Sequence, residues 1–110
     1  MESDGKEKIM ITVKFLPIFK KWFEKQTKEA RREIIDAVNK ISQGNTSSLK
    51  ALRAGITEIK IHFGAGIRIY LVKENDCFYL ILWGGADKKS QREDIEKAIK
   101  IKRFMEANKK

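Results

Sequence analysis

His62 is the only histidine in a 110-residue chain that carries 24 Lys and Arg. It lies in a stretch where polar residues recur at every second position: Glu58, Lys60 and His62, then Arg68 and Tyr70 beyond Gly64-Ala65-Gly66. An imidazole titrates near neutrality and suits general acid–base work. The planar fork of an arginine matches a phosphate bidentately. A lysine ammonium stabilises negative charge, or serves as a base where its neighbours lower its pKa. A tyrosine can stack on an unpaired base or assist proton transfer. A second group, Lys88, Lys89, Gln91 and Arg92, stands where a helix should begin. Cations beside free helix N–H groups make a corner that welcomes phosphate.

Each residue also has a plainer reading. His62 could be an exposed strand-end side chain, Lys60 a solvated charge, Tyr70 a packing residue and 88–92 a solvated loop. A mid-strand arginine is costly to bury alone. Arg68 therefore either faces a groove or pairs with an acid such as Asp87 or Asp94. Asp94 is expected to orient Arg68 or a lysine, and Cys77 to be a small buried residue.

Residues 8–13, rich in β-branched side chains, predict a first strand. Pro17 suits the first turn of a helix whose apolar stripe is Ile18, Phe19, Trp22 and Phe23. Thr27 is the expected N-cap of a second helix. Its stripe is Ala30, Ile34, Ala37, Val38 and Ile41, and Gly44 is its stop. Residues 45–54 read as a loop. From Ile56 the hydrophobic period changes from 3.6 to 2. A three-residue loop at 64–66 and a turn at Asn75-Asp76 divide this half into three strands, and the last, 77–83, is apolar enough to be buried on both faces. Ser90 with Glu93 reads as a capping box that opens a final helix carrying Ile95, Ala98, Ile99 and Met105. The expected order is β-α-α-β-β-β-α.

The loops imply a register: Phe63 opposite Ile67, His62 opposite Arg68, Lys60 opposite Tyr70, then Leu71 opposite Leu80 and Arg68 opposite Trp83. Alternation sorts the strands into two faces. One holds Ile59, Ile61, Phe63, Ile67, Ile69, Leu71, Phe78, Leu80 and Leu82, the core on which the two N-terminal helices should pack. The other holds Glu58, Lys60, His62, Arg68, Tyr70, Val72, Tyr79, Ile81 and Trp83. Cations interleaved with aromatics can hold single-stranded nucleic acid, with phosphates on the cations and bases on the rings. The final helix would convert part of that face into a second small core if it covered Tyr70, Tyr79 and Trp83.

Length predicts one domain over 1–110, with residues 1–7 flexible. The formal net charge of +9 is spread evenly, +5 on residues 1–55 and +4 on 56–110. That spread argues against a basic tail and for an anionic partner met by the folded body. One cysteine excludes an internal disulfide and a cysteine zinc site, and no cofactor or metal is expected. The sequence shows neither a signal peptide nor an apolar run that spans a bilayer, so the expectation is a cytoplasmic protein with no membrane partner.

Two stretches carry a family resemblance: Gly55-x-x-Glu58-x-Lys60-x-His62-x-Gly64-x-Gly66-x-Arg68-x-Tyr70, and Leu82-x-Gly84-Gly85-x-Asp87-Lys88-x-x-Gln91-x-x-Asp94-Ile95. With Phe19-Lys20-Lys21-Trp22 and Gly44-Asn45, they resemble the RelE/ParE toxin superfamily, in particular its HigB-like "addiction module killer protein" branch. The chain departs from that pattern in Ala65, where proline is usual, and in Ala86, one residue more between Gly-Gly and Asp-Lys. The resemblance implies an α+β fold: a small, mostly antiparallel sheet with two N-terminal helices on one face and a C-terminal helix. It implies a type II toxin–antitoxin toxin that acts as a ribosome-dependent mRNA endonuclease, an mRNA interferase that inhibits translation. Cleavage would proceed by 2′-OH attack without a metal. Arg68, Lys60, His62 and Tyr70 would be catalytic, and Lys88, Lys89, Gln91 and Arg92 would bind RNA phosphates. The implied partners are the ribosome, mRNA and a helix-turn-helix antitoxin, with operator DNA reached only through the antitoxin. The same superfamily holds DNA gyrase inhibitors without nuclease activity, and a non-catalytic RNA-binding module is a third reading; fold alone does not choose.

Overall fold

A computed structural model describes residues 10–108. The first strand, β1, spans Thr12–Phe15 rather than 8–13. Residues 8 and 9, like the 1–7 segment expected to be flexible, lie outside the described residues. Pro17 opens helix α1 (Pro17–Glu24), its fixed φ suiting the first turn. Helix α2 (Lys28–Ser42) is capped as expected: Ala30 N–H donates to Thr27 Oγ1 at 3.1 Å. Gly44, with φ 91°, turns the chain away. The stretch expected to be a loop contains a two-residue strand, β2 (Lys50–Ala51), and a 3₁₀ turn at Arg53–Gly55. Then come β3 (Ile56–Ile61), β4 (Ile67–Glu74), β5 (Cys77–Gly85) and helix α3 (Lys88–Ala107).

The strands form one sheet in the order β1-β5-β4-β3-β2, with β1 parallel to β5 and the other pairs antiparallel. Helices α1 and α2 supply Phe19, Ile34 and Ile41 to one core, against Ile59, Ile61, Ile69, Leu71, Phe78 and Leu80. Helix α3 supplies Ala98 and Ile99 to a second, against Ile56, Tyr70, Val72, Ile81 and Leu82. Each fully buried large apolar side chain contributes about 1.5–3 kcal/mol.

Three expectations are corrected. The β3–β4 register is offset by two residues: Lys60 faces Arg68 and Ile61 faces Ile67. An even offset keeps every side chain on its face and changes only its partners. In β4–β5, Leu71 does face Leu80, but a β-bulge between Tyr70 and Leu71 inserts a residue in β5, so that Arg68 faces Gly84. The bulge exchanges the faces of the next two residues. Leu82 joins the α3 core, and Trp83 crosses to the other, stacking on Trp22 at 5.0 Å and 10°. Finally, Asp87, not Ser90, caps α3: Lys89 N–H donates to Asp87 Oδ1 at 3.0 Å, while Ser90 Oγ donates to the Asp87 carbonyl. Among the described residues, no helix is long and apolar enough to cross a membrane.

Candidate functional site

The β3–β4 turn joins Ile61 to Ile67. Here Lys60, at the end of β3, and His62, just beyond it, are both exposed. A cleft of about 250 Å³ lies between them and Gly66, Ile67, Arg68 and Ala86. The same two side chains border a second opening toward Ser48, Lys50 and Glu58, and a third toward Glu33, Asp36 and Lys40 of α2. The structure thus brings Lys60, His62 and Arg68 to one cleft. An imidazole beside an ammonium, with a guanidinium beneath, can exchange protons and stabilise a phosphate's developing charge.

Arg68 does not reach into that cleft as a free fork. It is 4% exposed. Its Nη1 donates to the carbonyls of Ala86 at 2.7 Å and Gly85 at 3.3 Å, and its Nε lies 3.3 Å from Glu58 Oε2. The acid that pairs with it is Glu58, 1% exposed, rather than Asp87 or Asp94. Gln91, expected among the phosphate binders, instead donates Nε2 to that same Glu58 oxygen at 2.6 Å. A buried ion pair needs such added hydrogen bonds to offset its desolvation.

Tyr70, expected to stack on a base or assist proton transfer, is wholly buried under α3. Its hydroxyl has no hydrogen-bond partner among the described residues. Burial first, then the charges of Asp94 and Glu58, push its pKa up to about 12. In the unfolded chain the phenol ionises at its ordinary 10.0, so its contribution is fully present below pH 10 and is lost as pH rises toward 12. Tyr70→Phe removes an unsatisfied hydroxyl. It should leave neutral-pH stability unchanged or raise it by about 1 kcal/mol, and should flatten the alkaline loss, both read by urea unfolding across pH.

Gly84 explains one glycine of the Gly-Gly pair. A Cβ there would strike the Asp94 carboxylate and sit 3.6 Å from Tyr70 Cε2. Gly84→Ala should therefore cost about 1–3 kcal/mol through overpacking. Gly85→Ala, where a Cβ meets nothing within 4 Å, should be near neutral. Urea midpoints of the two variants make the comparison. Asp94 itself, half-buried beside this strand, has its pKa raised by burial.

Lys88, Lys89 and Arg92 are exposed and border an opening of their own at the first turn of α3. The chain joins them to the main cleft through Ala86 and Asp87, the N-cap. Sequence reasoning missed Glu58 as the anchor of Arg68, although both stood on one face of adjacent strands. It also missed Lys50, which β2 places opposite Glu58 and beside Lys60 and His62. Two residues are too short to show a period.

Residues 21–106 match the family described as Phage derived protein Gp49-like (DUF891). An uncharacterized protein of Haemophilus influenzae is 33% identical over 89 residues, covering 80% of this chain and 89% of its own length. The free-state structure of a mutant of the E. coli toxin RelE superposes with a TM-score of 0.61 at 16% identity, over 80% of this chain and 97% of that one. A match over most of the chain, on a fold shared with RelE, places this protein in the Gp49-like phage-derived family, a RelE/HigB-type family of toxin–antitoxin toxins.

Proposed function

We propose that the chain is a type II toxin that cuts mRNA on the translating ribosome in the cytoplasm and is neutralised by a helix-turn-helix antitoxin. The observation that carries this reading is the cleft at the β3–β4 turn, where exposed His62 and Lys60 stand over buried Arg68. RNA holds its own nucleophile in the 2′-OH. The site must therefore take a proton from that hydroxyl, stabilise a phosphorane-like transition state and protonate the leaving 5′-oxygen. His62 is the proton-transfer group in this scheme. Lys60 stabilises charge at the phosphate or shares the base role. Arg68 adds positive field from the floor while holding the Gly85–Ala86 backbone in place. Lys88, Lys89 and Arg92 bind the next phosphate along the strand. Operator DNA would be reached only through the antitoxin.

The test is induction in cells of wild type and of Lys60→Ala/His62→Ala, with mapping of mRNA 5′ ends. Cuts within translated mRNA that vanish in the variant support the reading. Equal growth arrest by both proteins with intact mRNA overturns it; DNA damage and gyrase association would then identify a gyrase inhibitor.

A further inference from the structure

Gln91 reaches from the first turn of α3 back to the sheet, where its Nε2 donates to Glu58 Oε2 of β3 at 2.6 Å. Arg68 Nε meets that same oxygen at 3.3 Å, and Arg68 Nη1 donates to the carbonyls of Gly85 and Ala86. Between β5 and α3 lie only Ala86 and Asp87. One buried carboxylate therefore ties this connector on both sides, through Arg68 where β5 ends and through Gln91 where α3 begins. A neutral donor suits the place. Glu58 and Arg68 already balance in charge, and a buried pair calls for further hydrogen bonds rather than a further charge.

Little else holds the first turn of α3 to the sheet. Lys88, Lys89, Arg92 and Glu93 are exposed, and the helix packs into its core from Ile95 onward. The bonds of Asp87 and Ser90 stay within the turn itself. Among the described residues, Gln91 is the one side chain of this turn that hydrogen-bonds to a strand. The same turn carries the cations assigned to the phosphate next to the one in the cleft. Two phosphate sites position a strand only when their separation is fixed. Holding reacting groups in register supplies much of a rate, and a misplacement of about 1 Å costs about 10²-fold.

We propose that Gln91 is a positioning residue: its bond to Glu58 fixes the α3 corner relative to the cleft, so that RNA held at Lys88, Lys89 and Arg92 sets the scissile phosphate beside His62 and Lys60. The proposal rests on the nuclease reading and gives Gln91 a role exerted through Glu58 rather than on RNA. Gln91→Met keeps the side chain's length and removes the donor; Gln91→Asn keeps the amide but is one methylene too short. In both, cleavage at saturating programmed ribosomes should fall by about 10–100-fold. Every cation remains, so the salt dependence of ribosome binding should match wild type, whereas Lys88→Ala/Lys89→Ala should make it shallower. Amide hydrogen exchange reads the corner without RNA. Losing a hydrogen bond to a charged group should speed exchange at residues 89–93 by about tenfold or more and leave 97–104 near wild type. Wild-type rates in both variants overturn the proposal. A salt dependence that falls with the rate overturns it too, because Gln91 would then touch RNA. Unchanged exchange at 89–93 overturns it whatever the rates, and exchange raised along the whole of α3 does so by assigning Gln91 to the stability of the helix alone. Wild type that cuts no mRNA overturns the nuclease reading itself, and the proposal with it.

Discussion

Arg68→Met should destabilise the fold by about 3–5 kcal/mol, because it leaves Glu58 buried with an uncompensated charge. Methionine retains most of the arginine stem's volume, so the loss isolates the guanidinium rather than a cavity. The guanidinium holds three things at once: the Glu58 carboxylate and the carbonyls of Gly85 and Ala86. Glu58 keeps one partner in the variant, the Gln91 amide, which tempers the loss without supplying a counter-charge. Small domains are stable by only about 5–15 kcal/mol, so this single change takes a large share of the total. Glu58→Gln/Arg68→Met should recover much of it, since the double variant buries no net charge. Urea unfolding of the four proteins in this cycle gives the coupling between the two residues. A coupling near zero would show that the pair is not the anchor described above. The result also bears on function: an inactive Arg68 variant reports on catalysis only if its folded fraction is known.

The physical reason Arg68 became an anchor also marks the limit of the sequence reading. Alternation alone puts Glu58, Lys60, His62, Arg68 and Tyr70 on one face, and the structure keeps them there. Alternation does not say which part of the face another element covers. Helix α3 lies over Glu58 and Tyr70 and leaves Lys60 and His62 outside, so one stripe becomes two environments. Nor does alternation reveal the bulge between Tyr70 and Leu71, whose extra residue moves Trp83 to the Trp22 side and sets Gly84 against Arg68. The helices were legible because their stripes and the Thr27 cap are local signals. Strand β2 was not, because Lys50–Ala51 is defined only by its pairing with β3.

His62→Ala is expected to behave in the opposite way to Arg68→Met. Its side chain is exposed, and no hydrogen bond or ion pair ties it to the described residues, so stability should change by no more than about 0.5 kcal/mol. Cleavage of ribosome-bound mRNA should fall by about 10²–10⁴-fold, the range a positioned acid or base contributes. Lys60→Ala should also spare stability. Since Lys60 faces Arg68 across the ladder, its loss removes an exposed charge beside the buried one, and weaker RNA binding with a shallower salt dependence should accompany any fall in rate. Single-turnover cleavage on programmed ribosomes separates the two effects: the His62 variant should lose rate at saturating ribosomes, the Lys60 variant affinity as well. If His62→Ala cuts as fast as wild type, the imidazole moves no proton in the rate-limiting step, and Lys60 becomes the remaining exposed side chain at the cleft able to serve as base.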